Sequence, residues 1–170
     1  MKRLETERLF FRGYEKSDKE NFIGLFTDEA VMKYVGDGVL TLERAEAFWQ
    51  KLFEKLYPDG YDIWAVFSKE NSEYVGHAGI YRRPNHSDEW EFVYFLKREA
   101  WGKGYATEIA RRLVRFGFED LNLQEVFASV DDEHTASIGV LKKSGLKFKR
   151  YEYDENERFS VYSITAEDRE

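Results

Sequence analysis

The segment of residues 101–107, WGKGYAT, constrains the chain more than any other stretch. It lies between an apolar run typical of a strand, residues 91–96, and a helical pattern that continues to about Asp120. The first turn of a helix has backbone N–H groups without intrahelical acceptors, and the helix dipole makes that end positive. Because glycines also let the backbone approach a ligand closely, the segment predicts an anion site suited to phosphate.

Length and composition favour one domain over residues 1–170, since 42% of the residues are hydrophobic. The chain has no cysteine, and its three scattered histidines do not form a metal-site pattern, so we expect no metal. No apolar run reaches the ~20 residues that a membrane helix needs, and the N-terminus lacks the apolar core of a signal peptide. We therefore expect a cytoplasmic protein that does not bind membranes.

The net charge of −7 disfavours a general nucleic-acid binder and weakly favours cationic partners. It does not oppose a local anion site. The pattern G-x-x-x-x-G-K-[ST] is absent, so the glycines do not indicate a P-loop nucleotide hydrolase.

Hydrophobic periodicity predicts an α+β fold with about seven strands and about four helices, in the order β-α-α-β-β-β-α-β-α-β-β. A mainly antiparallel sheet with one central parallel crossover fits this order. Ser17 and Thr41 are expected to cap the first two helices, and Gly145 the last. The expected elements are a strand within 4–14, helices at 17–28 and 41–56, strands at 63–67, 74–81 and 91–96, a helix at 106–120, a strand at 126–130, a helix at 135–144, and strands at 148–153 and 159–165.

Four motifs occur in an order that is typical of one family. Residues 6–12 (TERLFFR) resemble T-E-R-L-x-L-R, residues 91–94 match E-x-x-Y, and residues 101–106 match Q/R-x-x-G-x-G/A. Ser137 with residues 142–146 resembles N-x-x-S…K-x-G-F. Over nearly its whole length the chain therefore resembles the GNAT superfamily of N-acetyltransferases, and within it the ribosomal-protein and spermidine acetyltransferases (the RimJ/RimL-like group).

The resemblance implies an enzyme that transfers an acetyl group from acetyl-CoA to a primary amine by direct attack. The loop would hold the CoA pyrophosphate, and backbone groups at the end of the preceding strand would pair with pantetheine. A backbone N–H close to Phe95 would be an oxyanion donor. Charged Arg111 is a further candidate for contact with the CoA phosphates. The implied cofactor-binding residues are Tyr94, Phe95, Leu96, Trp101, Gly102, Lys103, Gly104, Tyr105, Ala106, Thr107, His134, Ser137 and Lys143.

Two residues are catalytic candidates. Glu91 is the candidate general base, because an ammonium group of pKa about 10 must lose a proton before it attacks. Alternatively, Glu91 is a solvated residue beside the acidic positions 88–89. Ser137 is the candidate that protonates or hydrogen-bonds the leaving thiolate, or else a small residue in the first turn of a helix. Tyr94 and Tyr162 are further alternatives for that role.

Three positions depart from the family pattern. Trp101 replaces a Gln or Arg, His134 replaces an Asn, and Leu141 replaces a tyrosine that serves as general acid in many members. The last two departures leave a second interpretation open, a non-catalytic acyl-CoA or polyamine sensor on the same fold. His77 lies in an apolar strand and is expected in the core.

The acceptor amine is the part that the sequence determines least. In the family, its site is bounded by the loop between the first helices and by the final hairpin, which are Gly36-Asp37-Gly38 and residues 154–157 here. Both are acidic, so we expect a cationic acceptor: a polyamine, an aminoglycoside-like amine or a protein N-terminus. Alternatively, the acidic turns only add solubility. The many aromatic residues allow a homodimer without indicating its interface.

Overall fold

A computed structural model of the protein describes residues 1–36, 38–155 and 157–169. These residues contain eight strands and five helices. The additional elements relative to the expected order are short, because β1 has two residues and α2 has four. The elements are β1 (Leu4–Glu5), β2 (Leu9–Arg12), α1 (Lys19–Phe26), α2 (Glu29–Met32), α3 (Leu42–Lys51), β3 (Asp62–Ser68), β4 (Tyr74–Arg83), β5 (His86–Leu96), α4 (Tyr105–Glu119), β6 (Glu125–Asp131), α5 (Thr135–Lys143), β7 (Lys147–Asp154) and β8 (Glu157–Thr165).

The strands form a mixed sheet in the order β1-β2-β3-β4-β5-β6-β8-β7. Strand β5 pairs with β6 in parallel, and α4 is the crossover between them, because parallel neighbours need a long connection. Strand pairs β1–β2, β2–β3, β6–β8 and β7–β8 are antiparallel. The predicted α+β fold is therefore confirmed. Among the described residues, no helix has the length and apolar character that crossing a membrane requires.

The chain forms two compact units. The first comprises Met1–Gly79 and Tyr94–Tyr105, and the second comprises Ile80–Val93 and Ala106–Glu170. Neither unit is a continuous stretch of chain, and the single domain over residues 1–170 stays a prediction.

The core of the first unit is rich in aromatic side chains from α1, α3 and the strands. Within it, the Tyr14 hydroxyl lies 2.8 Å from the Tyr74 hydroxyl and 3.0 Å from Nδ1 of His77. Burial lowers the pKa of His77 to about 3, so the ring is neutral at physiological pH. His77 is thus the core residue that its apolar strand predicts, with a polar partner for its buried nitrogen.

The helix cap predicted from the sequence is present at α3 but not at α1. Thr41 caps α3 as expected, since its Oγ1 accepts a hydrogen bond of 3.2 Å from the backbone N–H of Arg44. The expected cap at Ser17 is wrong. A 3₁₀ turn that begins one residue before Ser17 comes first, with Glu15 and Asp18 as its reciprocal capping pair, and α1 starts after that turn.

Two element boundaries also differ. The helix expected to reach Leu56 ends at Lys51 and is followed by a single π-helical turn. The apolar spacing of this helix predicts a buried Leu42, but the structure leaves Leu42 60% exposed. Residues 84–88, which the sequence predicts as a loop between two strands, are mostly strand, because β5 already begins at His86. Apolar patterning did not reveal this part of β5, whose first residues are polar and exposed.

The second unit is organised around α4. Its buried face carries Ile109, Ala110, Leu113 and Phe116, and its Arg111 and Arg115 are exposed. Gly117 allows α4 to pack closely on β6, since a Cβ there would lie 2.7 Å from a Val126 methyl carbon. After α5, Gly145 has a φ of +91°, which confirms it as the glycine that ends this helix.

Gly76 in β4 allows two backbones to approach each other closely. A Cβ at this position would lie 2.1 Å from the carbonyl oxygen of Phe95, which is a backbone atom that a rotamer change cannot move away. We predict that Gly76→Ala lowers the free energy of unfolding by about 2 kcal/mol, measured by urea denaturation, because of this overlap.

Gly24→Ala is the matched control. Gly24 lies in α1, and nothing is within 4 Å of its added Cβ, so the higher helix propensity of Ala should raise stability by up to ~1 kcal/mol. Equal stability of the Gly76 and Gly24 variants would contradict the close approach.

Candidate functional site

The loop after β5 is closed at its base by hydrogen bonds within the first unit. The N–H of Lys97 donates to the carbonyl of Val75 at 3.0 Å, and a 3₁₀ turn follows. The indole N–H of Trp101 then donates back to the carbonyl of Leu96 at 2.9 Å, while the side chain remains 48% exposed. Trp101 therefore fixes the angle at which the loop leaves the strand.

The two glycines of the loop adopt left-handed backbone conformations. Gly102 has a φ of +74° and Gly104 a φ of +79°, a region that costs other residues roughly 1–2 kcal/mol. Lys103 between them is exposed, so its ammonium group can move toward an anion. The chain therefore needs glycine at these positions for the conformation itself.

Arg8, just before β2, holds the loop from the other side. Its Nη1 donates to the carbonyl of Lys103 at 2.8 Å, and its guanidinium carbon lies 4.7 Å from the centre of the Tyr105 ring. Sequence reasoning assigned no role to Arg8. The available signal was its place in the TERLFFR motif, which the resemblance used only for recognition.

The start of α4 leaves a row of hydrogen-bond donors. In the described part of the chain, the backbone N–H groups of residues 104–107 have no protein acceptor. We call these four groups the donor row. They lie at the positive end of a helix of 15 residues, so they can bind an anionic group of the size of a diphosphate.

The end of β5 supplies backbone groups, while its side chains pack in the core. The Phe95 ring stacks on His77 with a centroid distance of 5.8 Å and meets Phe26 at 5.7 Å, and Leu96 is buried. Tyr94 is half-buried. These contacts give the side chains of Phe95 and Leu96 a structural role and leave the backbone groups of the strand end for a ligand.

In the second unit, Glu91 lies at the parallel pairing of β5 with β6. In the register of the two strands Glu91 pairs with Phe127, and its Oε1 accepts a hydrogen bond of 2.8 Å from the backbone N–H of Ser129. Its Oε2 lies 3.4 Å from Nε of Arg83, and the side chain is only 12% exposed. Glu91 is thus an oriented, partly buried carboxylate rather than a solvated residue.

Arg83 connects Glu91 to an ionic network that sequence reasoning missed. It is buried and donates to Glu89 at 2.7 Å and to Glu152 at 2.6 Å, and Arg150 donates to both of these carboxylates. The hydrogen bond from Arg83 lowers the pKa of Glu152 to about 2, with burial opposing the shift. Glu89 is thus already paired with Arg83 and Arg150, whereas its neighbour Asp88 is exposed.

Three further candidates lie along α5. His134 immediately precedes the helix and Ser137 is in its first turn, and both side chains are half-buried. Burial lowers the pKa of His134. Lys143 is the exposed last residue, and its carbonyl accepts a hydrogen bond of 2.8 Å from Arg111. Leu141 is buried in the core, consistent with an apolar residue where other members carry a tyrosine.

The acceptor loops are described only in part. Asp37 and Asn156 lie outside the described residues, so the predictions for Gly36-Asp37-Gly38 and for the hairpin turn cannot be followed through those two positions. The turn residues Asp154 and Glu155 are exposed. The structure therefore brings together the loop, the strand end and Arg8 in the first unit, and Glu91, Arg83 and Ser129 in the second.

Comparison with known proteins agrees with the fold. The family model described as "Acetyltransferase (GNAT) domain" matches residues 8–147. The protein named uncharacterized N-acetyltransferase p20, from Bacillus licheniformis, is 30% identical over 176 residues, which span 100% of this chain and 98% of p20.

Solved structures show the same architecture. An acetyltransferase of the GNAT family from Bacillus anthracis has a TM-score of 0.83 and 26% identity, covering 98% of this chain and 99% of its own. The spermidine N-acetyltransferase from Vibrio cholerae, in complex with CoA and spermine, has a TM-score of 0.79 at 17% identity, with 96% and 98% covered. RimL, a ribosomal-protein acetyltransferase in complex with CoA, has a TM-score of 0.78 at 15% identity, with the same coverage.

The network around Arg83 predicts a dependence of stability on pH. Because the pKa of Glu152 is about 2 in the folded protein and ordinarily 4.5, its contribution is present above pH 4.5 and is lost as the pH falls toward 2. The slope should stay below the roughly 1.4 kcal/mol per pH unit of one fully linked proton, since the side chain retains 18% exposure.

We predict that Glu152→Gln removes this part of the slope in urea denaturation between pH 4.5 and 3. Glu157→Gln, on the exposed start of β8, is the control that should leave it unchanged. An identical pH slope in the Glu152 variant and the natural protein would refute the network's linkage to folding.

Proposed function

Since the chain belongs to the GNAT family of acetyltransferases, which use acetyl-CoA, we propose that it is an N-acetyltransferase that acetylates a primary amine by direct attack. The observation that carries the proposal is the donor row at the start of α4. Unpaired N–H groups at a helix N-terminus, preceded by two left-handed glycines, suit a diphosphate better than a neutral ligand.

The glycine loop and the start of α4 bind and orient the cofactor in this proposal. The donor row and Lys103 hold the CoA diphosphate, while Trp101 keeps the loop at its angle to β5. His134, Ser137 and Lys143 of α5 are assigned to the remaining CoA contacts by the family pattern. Bound acetyl-CoA supplies the activated thioester that an amine attacks.

The strand end suggests which N–H stabilises the oxyanion. The N–H of Lys97 and the carbonyl of Phe95 both face β4, beside Val75 and Gly76. Because successive residues of a strand direct their backbone groups to opposite edges, the N–H of Leu96 faces the other edge. Leu96 is therefore the donor close to Phe95 that can pair with pantetheine or polarise the thioester carbonyl.

Glu91 and Ser137 supply the proton transfers in the proposal. Glu91, whose orientation is fixed by Ser129 and Arg83, accepts a proton through water from the ammonium group of the acceptor, and the resulting neutral amine attacks the thioester. Ser137 donates a hydrogen bond to the leaving thiolate. Much of the rate would come from holding the amine next to the thioester, since proximity alone removes a large part of the barrier.

The acceptor in the proposal is a small cationic amine or a protein N-terminus. Support comes from the net charge of −7 and from relatives of the same fold, one bound to spermine and one that acetylates a ribosomal protein. A cytoplasmic location and a homodimer belong to the same proposal, and neither nucleic acid nor a membrane is a partner in it.

We predict that acetyl-CoA at about 100 times its Kd raises the melting temperature by roughly 5–10 °C, since saturating ligand adds about 2.7 kcal/mol to stability. ATP with Mg²⁺ should have no such effect. Gly104→Val should abolish the shift, because a side chain at a φ of +79° distorts the loop.

Gly60→Val is the matched control. Gly60 has a φ of +83° with nothing within 4 Å of its added Cβ. The Gly60→Val variant therefore has the same kind of backbone strain at a position outside the loop, and acetyl-CoA should still raise its melting temperature. Retained binding in the Gly104 variant would mean that the loop is not the cofactor site.

Thiol release across a panel of polyamines, aminoglycosides and peptide N-termini then identifies the acceptor. A shift of the melting temperature with acetyl-CoA, without thiol release in the presence of any amine, would indicate a sensor instead.

Glu91→Gln tests the general base. The amide can still accept the Ser129 N–H, so we predict that kcat falls by about 10²-fold or more while the Kd for CoA changes little. Asp88→Asn, an exposed neighbour on the same strand, should retain full turnover. Unchanged turnover of the Glu91 variant would leave Glu91 with the structural role of holding Ser129.

A further inference from the structure

Arg8 contacts the glycine loop although it lies 95 residues before Lys103 in the sequence. Its backbone is anchored, because its carbonyl accepts the N–H of Lys69 at 2.9 Å. The next residue, Leu9, is fully buried, and its N–H donates a hydrogen bond of 3.0 Å to Oγ1 of Thr6. The guanidinium therefore projects from a rigid base at the start of β2.

The contact with Lys103 sets the direction of a neighbouring donor. The described chain has no cis peptide bonds, so the carbonyl of Lys103 and the N–H of Gly104 belong to one planar trans unit and point in opposite directions. Because Arg8 donates to the carbonyl of Lys103, that carbonyl faces Arg8, and the Gly104 N–H points away from Arg8. That N–H is the first member of the donor row.

A peptide next to glycines would otherwise rotate easily. Gly102 and Gly104 both tolerate a wide range of φ and ψ, so the intervening peptide units have little intrinsic preference for one direction. The planar guanidinium also packs on Tyr105 at 4.7 Å, the first residue of α4, so a single side chain fixes both the loop and the helix start.

We propose that Arg8 is a positioning residue that orients the Gly104 N–H for the diphosphate of the cofactor. This inference rests on the proposed function and adds to it the group that preorganises the donor row. Arg8 is assigned no contact with the reacting atoms. The effect of Arg8 should therefore be confined to acetyl donors that carry a diphosphate, because an acetyl donor without a diphosphate does not use the Gly104 N–H.

The test compares two acetyl donors with the purified protein. With acetyl-CoA, we expect Arg8→Gln to lower kcat/KM by about tenfold through KM, the size of a lost hydrogen bond to a charged group. With S-acetylpantetheine, which lacks the diphosphate, kcat/KM should change less than twofold. Arg8→Lys keeps one donor but loses the planar contact with Tyr105, so its loss with acetyl-CoA should be intermediate. Arg115→Gln, an exposed position on α4, is the control and should behave as the natural protein.

The possible outcomes separate the inference from the proposed function. An equal loss with both donors, or no loss with acetyl-CoA, overturns the role of Arg8 while the natural protein still binds CoA and turns over. If the natural protein itself does not bind CoA in calorimetry, the proposed function fails, and the inference fails with it. Loss with acetyl-CoA alone supports both.

Discussion

Four backbone N–H groups that no described residue accepts form the feature around which the glycine loop and the start of α4 are built. Unpaired donors at a helix start are normally capped by a side chain, and α4 instead presents a bare loop with two left-handed glycines. Arg8 and Trp101 keep that loop in one conformation by donating hydrogen bonds to the carbonyls of Lys103 and Leu96, which leaves the N–H groups available. The side chains around the loop thus serve to position its backbone hydrogen-bond donors.

The strand before the loop is held equally firmly. Gly76 lets the Phe95 carbonyl approach β4, and the Phe95 ring packs against Phe26 and the neutral His77. An aromatic core and a close backbone contact therefore fix the strand end from two directions. Rigid support of this kind is what a site made of backbone N–H groups requires, because such groups have no side-chain rotamers with which to adjust to a ligand.

Local sequence patterns predicted most of the fold and the loop, because hydrophobic period, glycines and Thr41 act over a few residues. The errors have physical causes as well. Ser17 lost the capping role because Glu15 and Asp18 close a 3₁₀ turn first, and the polar start of β5 carries no apolar alternation. The contact of Arg8 with Lys103 and the network of Arg83 with Glu152 join residues far apart in the chain, so no local pattern could indicate them. For the same reason, Glu91 could be selected by motif, whereas its partners Ser129 and Arg83 required the structure.

The central claim is that the donor row binds the diphosphate of CoA, and amide NMR of the ¹⁵N-labelled protein tests it most directly. During titration with CoA, the account predicts that the largest chemical-shift changes occur at the amides of residues 104–107 and saturate together with binding. Pantetheine, which has no diphosphate, should leave these four signals in place. Saturable CoA binding that shifts other amides while those of residues 104–107 stay unchanged would contradict the account.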